Sequence, residues 1–460
     1  MSRSSSLYIC QSCGAQTRQY FGRCPSCGDW NSIIEERNRS PISRRSSNNS
    51  DKKFNPSARQ SEPISKLDEK TFHRIESGYE EFDRVLGGGL VPGSIVLLGG
   101  DPGIGKSTLL LQSATAIAKN HLVLYVSAEE SAQQVRLRWQ RLEGMNSELQ
   151  LLAETDLEKI LDEIEVLKPK VAIIDSIQAL NDQTLSSSPG SVAQVRECSA
   201  ALQRLAKLQE TALILVGHVT KEGMLAGPKV LEHLVDAVLT FEGDRFATHR
   251  LLRAVKNRYG ATYELGVFEM RGQGLVEVCN PSEIFLSGDA ASGISTIVAC
   301  EGTRSIVIDV QALVSTTSYV TPRRTATGVE NNRLHQILAV LEKHLGLTLS
   351  RYDCYLAVAG GLAVEEPAAD LGIAAAIVSS LKDLKIQKGT VLIGELGLGG
   401  QLRPVGHMTQ RLQEAQRLGF TRAVIPKGNE INKYENKINI EIQESINIAE
   451  AITFTLAAKV

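Results

Sequence analysis

Residues 100–107 read Gly-Asp-Pro-Gly-Ile-Gly-Lys-Ser, a complete G-x-x-x-x-G-K-[ST] phosphate loop. The loop follows the apolar run 94–99 and precedes a helical pattern that starts at Thr108. Glycines let successive backbone N–H groups close around phosphates, and the following helix N-terminus adds partial positive charge. The sequence therefore predicts a nucleoside triphosphate site built from Gly100, Asp101, Pro102, Gly103, Ile104, Gly105, Lys106, Ser107 and Thr108, in which Lys106 neutralises phosphate charge and Ser107 binds Mg²⁺.

Strand-like and helix-like segments alternate on both sides of the loop, with apolar runs at 94–98, 121–127, 170–175 and 211–217. This alternation predicts a mostly parallel sheet covered by helices. The run 171–174 ends in Asp175, which places a carboxylate at the carboxyl end of a buried strand, where it can hold Mg²⁺ beside Ser107. A helix-capping role for Asp175 is the alternative, because Ser176 could cap the same helix equally well. We favour the metal role.

Hydrolysis also needs a group that activates water. The strand ending at Ser127 is followed by the paired carboxylates Glu129 and Glu130, and either can act as the base. The pair could instead favour a helix dipole. We favour Glu129, although the sequence does not choose between the two. His218 and Thr220 follow the next strand, where a γ-phosphate sensor would lie.

Two C-x-x-C pairs near the N-terminus are separated by ten residues, and each pair is followed by a glycine that allows a tight turn. Four thiolates suit tetrahedral Zn²⁺, and a site with four protein ligands has no open position for catalysis. A redox dithiol is disfavoured because two matched pairs are present. We therefore predict a structural zinc ion held by Cys10, Cys13, Cys24 and Cys27. The other four cysteines are expected to be small buried residues.

Composition limits the remaining possibilities. The chain has 460 residues, 42% hydrophobic and 22% charged, enough for about three domains. Its formal net charge of -2 gives no global attraction to nucleic acid, so any such binding must use a local basic surface. No apolar stretch approaches the roughly 20 residues that span a bilayer, and the first residues lack the apolar core of a secretory signal. We expect a cytoplasmic protein without a membrane partner.

Residues 37–66 contain mainly Ser, Asn, Arg, Lys and Pro, and hardly any aliphatic side chains. A segment of this composition cannot form a core, so we expect a flexible linker over 35–70. Its basic residues could contact nucleic acid phosphates, or they could simply be solvated: Arg37, Arg39, Arg44, Arg45, Lys52, Lys53 and Arg59.

The stretch that leads into the phosphate loop carries a specific resemblance. Residues 78–94 read Gly-Tyr-Glu-Glu-Phe-Asp-Arg-Val-Leu-Gly-Gly-Gly-Leu-Val-Pro-Gly-Ser, which resembles the opening of the superfamily of RecA, the archaeal recombinases and KaiC. That resemblance implies a RecA-like ATPase core. In RecA-like proteins the region corresponding to the loop 219–229 contacts DNA, which makes Lys221 and Lys229 candidates for phosphate contacts. An ordinary solvated loop is the alternative.

A second motif narrows the resemblance to one family. Bacterial DNA repair proteins of the RadA (Sms) family combine a four-cysteine zinc motif with a Lys-Asn-Arg-Phe-Gly motif after the core. This chain has Lys256, Asn257, Arg258, Tyr259 and Gly260, where the tyrosine keeps the ring and adds a hydroxyl. The resemblance implies that Lys256 and Arg258 act catalytically on the nucleotide of a neighbouring subunit, as an arginine finger does. Without the family, the motif is only an exposed basic turn.

The C-terminal third resembles the proteolytic domain of Lon, most clearly in the glycine-rich stretch 394–406. The Lon nucleophile lies in a Pro-Ser-Ala-Gly motif, whereas this chain has Pro-Ala-Ala-Asp at 367–370, with Ala368 in place of the serine. The catalytic lysine of that family falls on Arg411, whose guanidinium stays protonated and cannot act as a base. We expect an inactive α+β module that contributes to DNA binding, with candidate contacts at Arg304, Arg323, Arg324, Arg333 and Arg351.

The predicted fold class is an α/β RecA-like P-loop ATPase core with a small N-terminal zinc ribbon and a C-terminal α+β Lon-like domain. The expected regions are a zinc ribbon (1–34), a linker (35–70), the ATPase (71–279) and the inactive Lon-like domain (280–460). The resemblance implies a DNA-dependent ATPase of recombinational repair, which uses Mg-ATP, translocates on single-stranded DNA and promotes branch migration. The implied partners are single-stranded DNA, branched recombination intermediates, the main recombinase, and copies of itself in a homohexameric ring. A KaiC-like regulatory ATPase is the alternative, and DNA-stimulated hydrolysis separates the two.

Overall fold

The fold is taken from a computed structural model that describes residues 7–10, 15–17, 19–26, 28, 30, 33–36, 73–142, 148–217, 229–243, 248–286, 291–429 and 438–456. Internal contacts divide the chain into two compact units, Met1–Glu277 and Val278–Val460. The linker predicted over 35–70 lies outside the described residues, apart from its first two positions.

A small antiparallel sheet lies at the start of the first unit. It has the order β2-β1-β3 and consists of β1 (Leu7–Cys10), β2 (Gln16–Thr17) and β3 (Ile33–Glu36). Cys10, Cys24 and Ile33 are buried together beside it. Gly28 has a φ of 80°, as the predicted tight turn requires, and its N–H donates to the carbonyl of Cys24 at 2.9 Å.

The large sheet of the first unit has the order β12-β11-β10-β9-β4-β8-β7-β5-β6. Its strands are β4 (Ile95–Gly100), β5 (Val123–Ser127), β6 (Gln150–Ala153), β7 (Val171–Asp175), β8 (Ala212–Val216), β9 (Ala237–Glu242), β10 (His249–Asn257), β11 (Leu265–Arg271) and β12 (Gly274–Glu277). Strands β4 to β9 pair in parallel, and β10 to β12 continue the sheet in antiparallel pairing.

Helices cover both faces of this sheet. They are α1 (Glu80–Leu86), α2 (Lys106–Ile117), α3 (Ala132–Arg141), α4 (Leu157–Leu167), α5 (Val192–Gln209) and α6 (Lys229–Leu234). Alternate strand residues enter different cores: Val96 and Leu98 pack in the cluster that contains α1 and α2, while Ile95 and Leu97 pack in the cluster that contains α4 and α5. The central strands are apolar throughout because both of their faces are buried.

Parallel pairing explains why candidate site residues meet. The carboxyl ends of β4, β5, β7 and β8 lie at one edge of the sheet, because these strands run in the same direction. The phosphate loop, the Glu129–Glu130 pair and Asp175 follow or end three of those strands. This edge is where α/β sheets of this kind bind ligands.

The second unit has a mixed sheet of order β15-β16-β14-β13-β17-β20-β21 and a small pair, β18-β19. The strands are β13 (Ile294–Glu301), β14 (Arg304–Thr316), β15 (Arg324–Thr327), β16 (Tyr352–Val358), β17 (Thr390–Leu392), β18 (Glu395–Leu396), β19 (Leu402–Arg403), β20 (Arg422–Pro426) and β21 (Glu441–Ser445). The helices are α7 (Pro281–Ile284), α8 (Asn331–Leu345), α9 (Asp370–Lys382), α10 (Met408–Arg417) and α11 (Ile448–Thr455).

Helix α9 is the central helix of the second unit. Every residue from Asp370 to Ser379 is buried, and the helix packs against β13 and β14. A Cβ at Gly372 would lie 2.1 Å from Ile297, so only glycine permits this close approach. The cysteine expectation holds in part: Cys198 and Cys354 are buried, whereas Cys279 is exposed and Cys300 partly exposed. Among the described residues, no helix is both long and apolar enough to cross a bilayer.

Candidate nucleotide-binding site

The phosphate loop has the backbone that a phosphate cradle requires. Gly100, Gly103 and Gly105 have φ values of 150°, 77° and 120°, which other residues rarely adopt. A Cβ at Gly100 would lie 2.5 Å from the carbonyl oxygen of Phe241, and one at Gly105 would lie 2.8 Å from Met270. A Cβ at Gly103 would meet no atom within 4 Å, so the loop is packed on one side and open on the other. This shape fits a bound phosphate chain.

Lys106 connects the loop to the carboxylates at the same edge. Its Nζ donates to the carbonyls of Gly100 and Asp101 at 2.7 and 3.0 Å. Burial lowers the pKa of Lys106, and the negative charges of Asp175, Glu129 and Asp101 act in the opposite direction without cancelling that effect. Ser107 is half-buried in the first turn of α2, next to this lysine.

Asp175 is fixed by a residue that the sequence analysis missed. The hydroxyl of Tyr125, on the neighbouring strand β5, donates to Asp175 Oδ2 at 2.6 Å. Burial, followed by the charge of Asp175, raises the pKa of Tyr125 well above its ordinary value, so the tyrosine stays a donor. The signal in the sequence was a tyrosine inside an otherwise aliphatic strand. The Asp175–Ser176 peptide bond is cis.

The two glutamates have different partners. Ser176, which is fully buried, donates its hydroxyl to Glu129 Oε1. Glu130 instead forms an ion pair with Arg138 of α3, with 2.5 Å between Oε1 and the guanidinium nitrogen. Ser176 makes no side-chain cap for the short helix Ile177–Ala179 that follows it. The structure therefore places Glu129 beside the Asp175 strand and directs Glu130 toward α3.

Other predicted residues lie outside this cluster. His218, Thr220 and Lys221 fall outside the described residues, and Lys229 begins α6 but its side chain is not described. Cys13 and Cys27 also lie outside the described part, so half of the predicted zinc ligand set can be placed. Cys10 and Cys24 are buried, and the N–H of Ser26 lies 3.4 Å from Cys24 Sγ. Such N–H···S contacts favour thiolate, as a zinc ligand requires.

The motif 256–260 lies at the opposite end of the sheet from the phosphate loop. Arg258 is 3.3 Å from Asp236, whose other carboxylate oxygen accepts from the N–H of Ile95, the first residue of β4. The loop follows Gly100, the last residue of β4, about 17 Å further along the strand. Lys256 donates to the carbonyls of Glu232 and Val235 at 2.5 and 2.8 Å. Within this chain, the motif does not meet the phosphate loop.

Two further contacts anchor the motif on α1. Asn257 donates to the carbonyl of Val85 at 3.1 Å and accepts from the N–H of Tyr259. A Cβ at Gly260 would lie 2.8 Å from Gly87. The guanidinium of Arg258 is 58% exposed, so the motif presents a charged group to solvent from a fixed base.

In the second unit, the positions of the Lon catalytic pair are filled differently. Ala368 is 3% exposed and packs in the cluster of Val298, Met408 and Leu412. Arg411 is paired with Glu366 through two hydrogen bonds of 2.7 and 2.6 Å, and it also donates to the carbonyls of Val298 and Gly406.

The charge state of Arg411 follows from this environment. Burial acts to lower its pKa, but the hydrogen bonds and charge of Glu366 more than offset burial and raise the pKa above its ordinary value. Arg411 therefore remains a cation and cannot accept a proton.

The candidate arginines for DNA differ in their availability. Arg333 forms an ion pair with Asp370, which is 1% exposed, so its guanidinium is committed within the domain. Arg323 stacks 3.8 Å from the ring centre of Tyr319, and Arg304 donates to the carbonyl of Cys279 at 3.2 Å. Arg324 and Arg351 lie at the start of β15 and the end of a short helix.

Comparison with curated proteins identifies the family. The chain is 52% identical to the DNA repair protein RadA of Synechocystis over 93% of this chain and 90% of that protein. It is 47% identical to the protein of that name from Bacillus subtilis over 99% of this chain and 100% of the relative. The chain belongs to the RadA family of DNA repair proteins. The relative from Listeria monocytogenes is 48% identical, with 94% of each chain covered.

Family models match three regions. Residues 60–224 match an AAA domain, residues 8–35 a rubredoxin metal binding domain, and residues 310–429 the subunit ChlI of Mg-chelatase. The predicted fold class is confirmed: a RecA-like P-loop core, an N-terminal zinc ribbon and a Lon-like C-terminal domain. Similar solved structures include a KaiC-like protein from Pyrococcus horikoshii (TM-score 0.37, 20% identity, 45% of this chain and 99% of that one) and the ATPase domain of another protein (TM-score 0.40, 16% identity, 45% and 92%).

Proposed function

We propose that this protein is a DNA-dependent ATPase of recombinational DNA repair, which translocates on single-stranded DNA and promotes branch migration of recombination intermediates. The observation that carries the proposal is the arrangement of one ATP half-site at each end of the large sheet. The phosphate loop, Asp175 and Glu129 gather at one end, and the motif 256–260 is fixed at the other. The name of the relatives supplies the repair context.

In the proposed site, Lys106 and the loop N–H groups hold the phosphates, while Ser107 and Asp175 hold Mg²⁺. Bound Mg²⁺ would neutralise charge that develops on the transferred phosphoryl group. Glu129 accepts a proton from the attacking water, and the Ser176 hydroxyl orients it. Lys256 and Arg258 complete the site of the adjacent subunit in a homohexameric ring. DNA and the main recombinase are the proposed partners, and zinc is proposed for the cysteine cluster.

The Lon-like domain is proposed to be a binding module without peptidase activity. Ala368 offers no nucleophile, and Arg411 is a permanently charged group tied to Glu366. Among its arginines, Arg323, Arg324 and Arg351 remain candidate DNA contacts, while Arg333 is committed to Asp370.

Steady-state ATP hydrolysis, measured with and without single-stranded DNA, tests the proposal. We expect DNA to stimulate hydrolysis, and Lys106→Ala to abolish both rates because phosphate charge is no longer neutralised. Lys119→Ala, an exposed lysine beyond the end of the same helix, is the matched control and should behave as wild type. Hydrolysis that is indifferent to DNA, in a protein that binds ATP, would contradict the motor and favour a regulatory ATPase.

A further inference from the structure

Arg250, near the start of β10, is a buried cation with no role so far. Only 8% of it is exposed, and it pairs across the sheet with Phe268 of β11. Arginine is rarely buried to this extent unless it serves a particular set of partners. Its position is therefore informative about what it holds.

The guanidinium contacts the phosphate loop from the packed side. Arg250 Nε donates to the carbonyl of Ile104 at 3.2 Å, and Nη1 donates to the carbonyl of His249 at 2.9 Å. Ile104 is itself 5% exposed. Because a trans peptide is planar, fixing the Ile104 carbonyl also fixes the N–H of Gly105, which points the opposite way. Arg250 therefore controls the direction of one N–H group of the cradle.

The chain leaves space for this side chain at the end of β9. A Cβ at Gly243 would lie 2.8 Å from Arg250 Cδ and 3.3 Å from Ile104 Cδ1. A larger residue at 243 would displace the arginine stem or the loop. The end of β9, the start of β10 and the phosphate loop thus form one packed unit.

We propose that Arg250 is a positioning residue for the nucleotide, which fixes the phosphate loop through Ile104 and adds a permanent positive charge behind it. The inference rests on the proposed ATP site and goes beyond it, because the loop motif alone does not include β10. The charge favours bound phosphates from within a poorly solvated region, where electrostatic interactions are stronger than in water. Arg250 need not contact the nucleotide to act in this way.

The test compares Arg250→Gln and Arg250→Lys with wild type by direct binding of Mg-ADP in calorimetry and by KM and kcat for ATP. Arg250→Gln should raise the Kd for Mg-ADP and the KM by about tenfold or more, with a smaller change in kcat, since a charge-assisted hydrogen bond is lost. Arg250→Lys should recover part of the affinity because it keeps the charge. Arg271→Gln, which alters an exposed arginine paired with Glu269 on β11, is the matched control and should stay within about twofold of wild type.

Affinity of Arg250→Gln within twofold of wild type would overturn the proposal. If that variant does not fold by circular dichroism, Gly243→Ala decides, because it displaces Arg250 without removing its charge. A raised Kd in Gly243→Ala supports the proposal, and an unchanged Kd overturns it. Binding is measured without DNA, so a wild-type enzyme that DNA does not stimulate would contradict the motor while leaving this test intact.

Discussion

At the scale of single residues, the site distinguishes side chains that the sequence makes look equivalent. Glu129 and Glu130 are neighbours with the same chemistry, but one accepts from Ser176 beside Asp175 and the other is paired with Arg138. Asp175 is in turn held by Tyr125 from the adjacent strand. Contacts made by distant residues therefore assign different roles to adjacent carboxylates.

Glu129→Gln is expected to lower kcat for ATP by about 10²–10⁴-fold, because the base that activates water is lost. Binding of Mg-ADP should be retained, since the phosphate loop is unchanged. Glu130→Gln is the matched control: it weakens a partly exposed ion pair and should alter kcat by less than about threefold. Single-turnover hydrolysis measures both. The reverse order of effects would transfer the role of base to Glu130.

Tyr125→Phe removes the hydroxyl that donates to Asp175 and leaves the ring in place. The carboxylate then loses its orientation, so we expect several-fold more Mg²⁺ to be needed for half-maximal hydrolysis. A Mg²⁺ titration at saturating ATP measures this. Tyr263→Phe, which alters a tyrosine that is 60% exposed, provides the control. An unchanged Mg²⁺ requirement in Tyr125→Phe would show that Asp175 is positioned without the tyrosine.

At the scale of elements, β4 separates the two proposed half-sites. Its last residue leads into the phosphate loop, and its first residue is tied through Asp236 to Arg258. Strand β10 spans a similar distance on the same sheet, with Arg250 near the loop and Lys256 near the motif. One stiff layer therefore holds the parts of two different sites.

Mixing two inactive variants tests this division. Lys106→Ala lacks a working phosphate loop, and Arg258→Ala lacks the proposed finger for a neighbour. Some interfaces in mixed assemblies pair the intact loop of one chain with the intact finger of the other. We therefore expect hydrolysis to reappear on mixing, up to a fraction of the wild-type rate. No recovery, with exchange of subunits verified by mass measurement, would place Arg258 within its own site.

At the scale of the whole molecule, the fold follows largely from local sequence patterns. The phosphate loop, its flanking strand and helix, and the strand ending at Asp175 are each encoded within a few consecutive residues. The partners of the site residues are not: Tyr125 lies 50 positions from Asp175, and Arg250 lies 146 from Ile104. Which strands are adjacent, and so which side chains meet, depends on sheet order. Sequence periodicity does not specify that order.

The Lon-like domain is expected to lack peptidase activity even when its nucleophile is restored. Ala368→Ser supplies a hydroxyl, but Arg411 cannot take its proton. Cleavage of fluorescent casein with ATP should therefore stay at background in wild type and in Ala368→Ser, with a Lon protease as positive control. ATP-dependent cleavage by either protein would refute the assignment of these two positions.

The Arg411–Glu366 pair also bears on how such a domain can evolve. Removing one partner of a buried ion pair costs about 3–5 kcal/mol, a large part of the roughly 5–15 kcal/mol that stabilises an ordinary domain. A lineage that reacquired a lysine at 411 would lose the bidentate contact and strain the network that also binds the carbonyls of Val298 and Gly406. Each single step back toward a hydrolase is thus selected against for stability before any activity appears. The ion pair acts as an evolutionary ratchet, and the surface of the domain remains free to diversify.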